Sequence, residues 1–246
     1  MVGHGHCFAL FIPGGLQGGV GDRVIIQEAT ILHRITHVLR LGAGETVLLF
    51  DATYSWLGRI IKVSKKFIEL VIEQVDGHKA VIPEIHWLLP ILEKDSFEEA
   101  LSHATVMGVT SITPIITKQS ARQVRLSSER QAKIMAAAAE QSKQFVFPII
   151  RPIISFEEAL AQRSKEAPFI LFDEDGEPAL PIMESLAHSK PSLVTVLSGP
   201  EGGLTHDEVA YARSQGALVC ALTPTILRAW VAVSLGAGML RACLKQ

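Results

Sequence analysis

The sequence predicts an α/β protein in two parts, a small β domain followed by a larger domain with a largely parallel sheet. Three observations lead to this prediction. The first third of the 246-residue chain contains short β-branched, apolar runs separated by glycines. From about residue 80, apolar runs alternate with helical segments, which is the rhythm of βαβ units. A glycine-rich turn then joins a late apolar run to a helix, as at the ligand-binding edge of such a sheet.

The first domain is predicted to be a small β-barrel. Asp76, Gly77 and His78 read as a linker, so the predicted domains are residues 1–76 and 77–246. Gly42 and Gly44 lie between the first and second predicted strands. The predicted strands are residues 24–26, 46–50, 57–63 and 67–75.

The second domain is predicted from the alternation of apolar and helical segments. The predicted strands are residues 85–92, 111–117, 169–172, 193–197 and 218–222. The predicted helices are residues 96–107, 127–142, 156–162, 206–214 and 226–244. This order indicates a mainly parallel sheet, because strands joined through helices run in the same direction.

The composition excludes several classes of protein. A formal net charge of −2 is too small for a protein that coats nucleic acid nonspecifically, so any RNA contact has to be local. Cys7, Cys220 and Cys243 are too scattered for a disulfide framework or a zinc site, which favours a reducing compartment and hence the cytoplasm. We expect neither secretion nor membrane insertion. His4 and His6 lack a matching distant ligand pair, and we expect no metal site.

The glycine-rich turn runs from Gly199 to Gly203 and contains Pro200 and Glu201. It lacks the Lys-Ser/Thr ending of a P-loop and the spacing of a dinucleotide fingerprint. Glu201 disfavours an anionic ligand and suits a cationic or neutral one. Thr205 and Glu208 have the spacing of a capping box for the next helix. The alternative interpretation is a tight structural turn with a surface glutamate.

Several motifs occur together in one order along the chain. They are Gly-Pro-Glu-Gly-Gly-Leu-Thr at 199–205, Ile-Leu-Arg at 226–228, His-Arg-Ile-Thr-His-Val-Leu-Arg-Leu at 33–41 and Glu-Gln-Ser at 140–142. In this combination the chain resembles the RsmE family, small-subunit (16S) ribosomal RNA uridine-N3 methyltransferases of the SPOUT superfamily. The resemblance extends over nearly the whole chain.

This resemblance implies S-adenosyl-L-methionine as the methyl donor and a SPOUT domain whose chain forms a trefoil knot. It also implies a PUA-like first domain that helps to hold RNA, and a homodimer in which two subunits complete each site. The substrate implied is ribosomal RNA or the assembled small subunit. The cofactor-binding residues carried over from the family are Leu197, Gly199, Glu201, Gly202, Gly203, Leu222, Ile226 and Leu227.

Methylation of uridine N3 needs a proton acceptor and a cation or donor near the uracil oxygens. Glu201 and Arg228 are the candidates for these two roles. The alternatives are that Glu201 holds loop amides and that Arg228 only pairs near the last helix. Residues predicted to contact RNA, against the alternative of a solvated surface, are Arg34, Arg40, Arg122, Gln141 and Lys143.

The chain departs from the usual family pattern near the last helix, where Thr223 replaces a glycine and Trp230 replaces a glutamate. Thr225 also stands where a basic residue is usual. Two alternative functions follow from these departures. One is a noncatalytic RNA-binding relic of the family, and the other is a SPOUT methyltransferase with a different RNA target.

Overall fold

The computed structural model describes residues 7–121 and 127–244 of the chain. Its contacts divide the chain into two compact units. Unit 1 consists of Met1–Lys79 with Ala139–Val146, and unit 2 consists of Ala80–Ala138 with Phe147–Gln246. The short segment Ala139–Val146 lies in the predicted second domain by sequence position, yet its contacts are with unit 1.

Unit 1 is built on a five-stranded sheet in the order β1-β3-β4-β5-β2. Its first pair, β1 with β3, is parallel, and the other pairs are antiparallel. The small β domain predicted from the sequence is therefore confirmed. Its strands are β1 Ala9–Phe11, β2 Arg23–Ile26, β3 Thr46–Phe50, β4 Tyr54–Val63 and β5 Ile68–Gly77.

The core of unit 1 follows from the alternation of side chains along β4 and β5. Ile68, Leu70 and Ile72 are fully buried on one face of β5, while the residues between them are more exposed. Gly58 of β4 lies against this face, and a Cβ there would come within 2.8 Å of Leu70 Cδ1. Glycine at this position lets the side chains of the two strands pack closely.

A helical segment joins β2 to β3 in unit 1. It consists of α1, Ala29–His33, continued by a π-helical turn, Arg34–Val38. Ile31 and Ile35 anchor it in the core, with 2% and 0% of their surface exposed. Arg40 follows with a positive φ of 56°.

Unit 2 contains a seven-stranded sheet in the order β12-β10-β11-β6-β7-β8, with β9 paired to β7. All of its strand pairs are parallel, which confirms the predicted α/β class. Its strands are β6 Glu84–Pro90, β7 Ser111–Ile116, β8 Ile149–Ile150, β9 Ile154–Ser155, β10 Phe169–Pro178, β11 Leu193–Ser198 and β12 Leu218–Ala221. The trefoil knot implied by the resemblance stays a prediction.

Helices cover both faces of this sheet, as a buried parallel sheet requires. One face packs against α2, α5 and α7, and the other against α4 and α6. The helices are α2 Lys94–Val106, α3 Ser128–Ser142, α4 Phe156–Gln162, α5 Ala179–Ser189, α6 His206–Ser214 and α7 Ala229–Cys243. None of the helices in the described part of the chain has the length and apolar character that crossing a membrane requires.

The start of the last helix corrects the sequence prediction. The helix was predicted over residues 226–244, but α7 begins at Ala229. Arg228 is its N-cap, with extended backbone angles of φ −61° and ψ 147°. Ile226 and Leu227 therefore lie in the loop that follows β12, where their side chains are available to a ligand.

A bulge interrupts the pairing of β10 with β12. Phe172 and Glu177 both pair with Cys220, so the residues between them, 173–176, are displaced from the ladder. Gly176 makes this possible, because a Cβ there would lie 2.5 Å from Cys220 Cα. The bulge presents Asp173, Glu174 and Asp175 at the edge of the sheet, and we call these three residues the acidic bulge.

Arg241 of α7 ties its helix to two loops of unit 2. Its Nε donates to the carbonyl of Met107 at 3.0 Å, and its terminal nitrogens donate to the carbonyls of Val81, Pro83 and Gly108. Burial lowers the pKa of Arg241 to about 10, so the guanidinium remains charged at neutral pH. The positive charge lies at the C-terminal end of α2, where the helix dipole favours a cation.

We predict that Arg241→Met lowers the free energy of unfolding by about 2–4 kcal/mol, because it leaves four carbonyls without their donor. Denaturant unfolding measures this difference. Arg23→Met is the matched control, since Arg23 is an exposed arginine in a single ion pair with Glu69; its removal should cost about 0.5 kcal/mol or less. Equal effects of the two substitutions would contradict the role of Arg241.

Candidate functional site

A cavity of about 650 Å³ opens at the carboxyl edge of the unit 2 sheet, within the usual range for small-molecule sites. The bulge within β10 and the loops after β11 and β12 form it, and residues from α6 and α7 complete it. It is lined by Phe172, Asp173, Glu174, Asp175, Ser198, Gly199, Pro200, Glu201, Gly202, Gly203, Leu204, His206, Val209, Ala210, Arg213, Leu222, Thr223, Thr225, Ile226, Leu227, Ala229 and Ala232.

The glycine turn after β11 folds tightly on itself. The amide of Gly203 donates to the carbonyl of Pro200 at 2.9 Å, and Gly203 has a φ of +75°. A Cβ on Gly199 would lie 3.2 Å from Gly203 Cα. The backbone therefore lines the cavity here, because side chains at these positions would fill the turn or strain it.

The predicted capping box fixes the end of this turn. Glu208 Oε2 accepts from the amide of Thr205 at 2.9 Å, and Thr205 Oγ1 accepts from the amide of Glu208 at 3.4 Å. The second carboxylate oxygen, Oε1, accepts from the amide of Lys118 in the loop after β7, at 2.8 Å. Glu208 is only 5% exposed. A single buried carboxylate thus joins the turn to a neighbouring loop.

Glu201 is exposed, and its side chain lines the cavity. Its Oε1 accepts a 3.2 Å hydrogen bond from the amide of Glu93, the N-cap residue of α2. This contact supports the loop-holding role that the sequence left open. It also leaves the second carboxylate oxygen for other partners, so the contact is compatible with the catalytic role.

Carboxylates dominate the charge around the cavity. The acidic bulge contributes three of them and Glu201 the fourth. Arg213 and His206 are the basic residues of the lining. Apolar side chains of Leu222, Leu227 and Val209 complete the wall. This lining suits a ligand that is partly apolar and carries positive charge.

The loop after β12 and the first turn of α7 carry the chain's departures from the family pattern. Thr223 Oγ1 donates to the carbonyl of Thr225 at 2.8 Å, so the hydroxyl closes a local turn. Trp230 packs against the core of unit 2, and its ring centroid lies 5.4 Å from that of His103 in α2. Both replacements are accommodated by contacts within unit 2.

The structure brings most of the predicted cofactor residues together. Gly199, Glu201, Gly202, Gly203, Leu222, Ile226 and Leu227 all line the cavity. Leu197 does not, because its side chain is fully buried in the core beneath the sheet. Arg228 lies between two lining residues but is exposed and outside the lining. The acidic bulge was not predicted from the sequence, because its position depends on a register shift between β10 and β12.

The residues predicted to contact RNA lie mainly in unit 1. Arg40, Gln141 and Lys143 are exposed there. Arg34 is held by a bidentate ion pair with Glu140, at 2.6 Å for both contacts. Arg122 lies outside the described residues, as do His4 and His6. No cluster of His, Cys, Asp or Glu suited to a metal ion occurs in residues 7–121 and 127–244.

Comparison with known proteins identifies the family. A model of the RNA methyltransferase domain matches residues 80–241, which cover nearly all of unit 2. The chain belongs to the RNA methyltransferase family. A second model, of the RNA methyltransferase PUA domain, matches residues 32–73 and agrees with the PUA-like domain expected in unit 1.

Two curated relatives of this chain carry the same name. Ribosomal RNA small subunit methyltransferase E of Rickettsia conorii is 29% identical over 72% of this chain and 72% of its own length. The protein of the same name from Bacillus subtilis is 25% identical over 80% and 81% of the two chains. These relatives confirm the resemblance to the RsmE family.

Solved structures of RNA methyltransferases share the fold over the full chain. A ribosomal RNA small subunit methyltransferase E from Neisseria gonorrhoeae, bound to S-adenosyl methionine, is 26% identical with a TM-score of 0.75. It covers 96% of this chain and 98% of its own. A putative methyltransferase from Legionella pneumophila, with a TM-score of 0.72 at 24% identity, covers 96% and 97% and supports the fold.

We predict that Glu208→Ala destabilises this methyltransferase more than Glu158→Ala does. Each substitution removes the glutamate of a capping box. Glu208 belongs to the box at the start of α6, and Glu158 forms a similar box with Ser155 at the start of α4. Loss of the box alone should cost about 1 kcal/mol, and Glu208→Ala should cost about 2–3 kcal/mol because it also strands the Lys118 amide. Denaturant unfolding of both variants measures the difference, and equal losses would contradict the joining role of Glu208.

Proposed function

We propose that this protein transfers a methyl group from S-adenosyl-L-methionine to N3 of a uridine in small-subunit (16S) ribosomal RNA. One observation carries the proposal. The glycine turn, the acidic bulge and the loop of Ile226 and Leu227 enclose one cavity at the edge of the sheet. The relative from Neisseria gonorrhoeae, which has the same fold over the full chain, is bound to S-adenosyl methionine.

The residues around the cavity fit this cofactor. Gly199 packs closely against Gly203, and a Cβ on Gly199 would lie 3.2 Å from Gly203 Cα. Backbone groups of this turn therefore face the cavity. Leu222 and Leu227 offer apolar surface for an adenine, and the carboxylates of Glu201 and the acidic bulge suit an ammonium and a sulfonium. When bound, the cofactor supplies a methyl group on a positively charged sulfur.

Glu201 is our candidate for the proton acceptor. Uridine N3 carries a weakly acidic proton that has to leave as the nitrogen attacks, and an exposed carboxylate at the cavity can accept it. The hydrogen bond from the Glu93 amide fixes one oxygen of Glu201 and so orients the other. Positioning and proton transfer are in this way combined in one side chain.

Arg228 is our candidate for stabilising the negative charge that develops on the uracil. It follows the cavity residues Ile226 and Leu227 directly, and its side chain is exposed. A permanent cation beside this loop can approach a base that has entered the cavity. The N3 atom lies on the pairing edge of uracil, so the target uridine has to be unpaired or swung out of a helix.

RNA contacts in this proposal come from exposed basic residues of unit 1. Arg40 and Lys143 have φ angles of 56° and 57°, a conformation that L-residues with side chains rarely adopt. Glycine would be favoured at both positions for backbone reasons alone. Lys190 of unit 2 shares this conformation, so the support for a binding role is instead that Arg40 and Lys143 are exposed and form no ion pair in the described part of the chain.

We further propose that the protein acts as a homodimer in the cytoplasm, where small ribosomal subunits are found. Ile226 supports the dimer because it is 81% exposed although it lies at the cavity, and a second copy can cover it.

The decisive experiment is methyl transfer from labelled S-adenosyl-L-methionine to small ribosomal subunits that lack the modification. Mass spectrometry of the nucleosides then identifies the labelled atom and its position. We expect N3-methyluridine at one site. Label on another nucleoside would indicate a different RNA target, and RNA binding without label would indicate a noncatalytic relic.

We predict that Glu201→Gln lowers kcat by a factor of about 10²–10⁴, the usual contribution of a positioned acid or base. The amide oxygen of glutamine can still accept from the Glu93 amide, so the stability should change by less than about 0.5 kcal/mol. Glu177→Gln is the matched control, because Glu177 is exposed on the same edge but does not line the cavity. If Glu201→Gln keeps the wild-type kcat, Glu201 does not accept the proton and only holds the loop.

We predict that Lys143→Gly weakens RNA binding and reduces the slope of log affinity against log salt concentration by about 1, as expected for one lost phosphate contact. The same variant should gain about 1 kcal/mol of stability through relief of its positive φ. Lys190→Gly is the control, because Lys190 is an exposed αL residue at the end of α5 in unit 2. It should gain similar stability with unchanged RNA affinity, and an unchanged salt slope in Lys143→Gly would contradict the contact.

A further inference from the structure

We infer that the Arg34–Glu140 ion pair has a positioning role in RNA binding. It holds two segments of unit 1, those that carry Arg40 and Lys143, in a fixed arrangement relative to each other. The inference rests on the proposed function, since it assigns a role to residues around the RNA contacts. It also separates Arg34 from the other basic residues, because Arg34 acts through Glu140 and does not itself bind phosphate.

The geometry of the pair is that of a structural connection. Arg34 Nη1 donates to Glu140 Oε1 and Nη2 donates to Oε2, both at 2.6 Å. Glu140 Oε1 also accepts from the amide of Phe11 in β1, at 2.9 Å. The carboxylate is only 9% exposed, whereas the Arg34 side chain is 36% exposed. Three charge-assisted hydrogen bonds thus fix Glu140 against the helical segment and β1.

Arg34 is poorly suited to a direct phosphate contact. Its two terminal nitrogens, which form the fork that would bind a phosphate, are taken by the carboxylate. The charges of the pair cancel, and a phosphate would have to displace a buried glutamate from its partners. The hydrogen bond to Glu140 raises the pKa of Arg34, so the guanidinium stays charged at neutral pH.

The pair joins the two segments that carry the exposed basic residues. Arg34 opens the π-helical turn that leads to Arg40, and Glu140 lies in the last turn of α3, just before Lys143. The amide of Lys143 donates to the carbonyl of Ala139 at 2.8 Å, which fixes Lys143 to the same turn as Glu140. In the described part of the chain neither Arg40 nor Lys143 forms an ion pair, so both charges are available for phosphate.

Arg59 and Glu73 provide an internal comparison. They form a second bidentate pair in unit 1, with contacts of 2.6 and 3.2 Å. They lie on β4 and β5, which are already joined by a hydrogen-bonded ladder. Their ion pair therefore links two strands that the sheet already holds together. Arg34–Glu140 instead joins segments that are 106 residues apart in sequence.

The test compares Arg34→Met with Arg59→Met, alone and combined with Lys143→Met. We would measure affinity for small-subunit RNA, KM and kcat for methyl transfer, and affinity for S-adenosyl-L-methionine. Arg34→Met should raise the RNA Kd and KM about fivefold, with unchanged kcat and cofactor affinity, and Arg59→Met should leave all four unchanged. In the Lys143→Met background, Arg34→Met should add less than a twofold effect, because the residue it positions is gone.

Arg34→Lys gives a second readout if Arg34→Met folds poorly. Lysine keeps the charge but loses the fork, so a positioning role predicts a raised KM, whereas a phosphate contact predicts a KM near that of the wild type. Multiplicative effects of Arg34→Met and Lys143→Met, or an unchanged RNA affinity in Arg34→Met, would overturn the inference. Absence of methyl transfer by the wild type would refute the proposed function alone, since the RNA-binding measurements still test the pair.

Discussion

The cavity depends on the close approach of β10 to β12 at Gly176. Because a Cβ there would lie 2.5 Å from the Cys220 backbone, only glycine lets the bulged chain rejoin the ladder after Phe172. The bulge then carries its carboxylates to the edge where the glycine turn and the loop of Leu222 also end. Burial raises the pKa of the Cys220 thiol to about 12, so Cys220 remains protonated at neutral pH. The absence of a side chain at Gly176 thus allows the acidic bulge to form, and this bulge carries three of the four carboxylates that line the cavity.

Local motifs of the site could be predicted from the sequence because their geometry depends on near neighbours. The capping box of Thr205 and Glu208 and the positive φ of Gly203 follow from residue types at fixed spacing. The start of α7 could not be predicted, since Ile226 and Leu227 continue its apolar pattern and only the extended backbone of Arg228 ends the helix there. The acidic bulge escaped prediction because its position depends on a register shift against β12.

Contacts between distant residues explain the remaining differences. Arg34 was predicted to bind RNA from its place in a basic cluster, yet its partner Glu140 lies 106 residues away. Leu197, which the resemblance assigned to the cofactor, has its side chain buried in the core between the sheet and helices α4 and α6. In both cases the position of the side chain depends on packing between distant parts of the chain, which one sequence does not contain.

The two units carry charge of opposite sign at their candidate sites, and this division fits the two ligands. Carboxylates around the cavity of unit 2 favour a cationic methyl donor and repel phosphate. In the proposed function RNA affinity therefore comes from other residues, and the charges of Arg40 and Lys143 in unit 1, which form no ion pair in the described part of the chain, are our candidates. A chain of net charge −2 can bind RNA in this way only where its basic residues are concentrated. In the proposed function, the connection through Arg34 and Glu140 holds the segments that carry Arg40 and Lys143 in place.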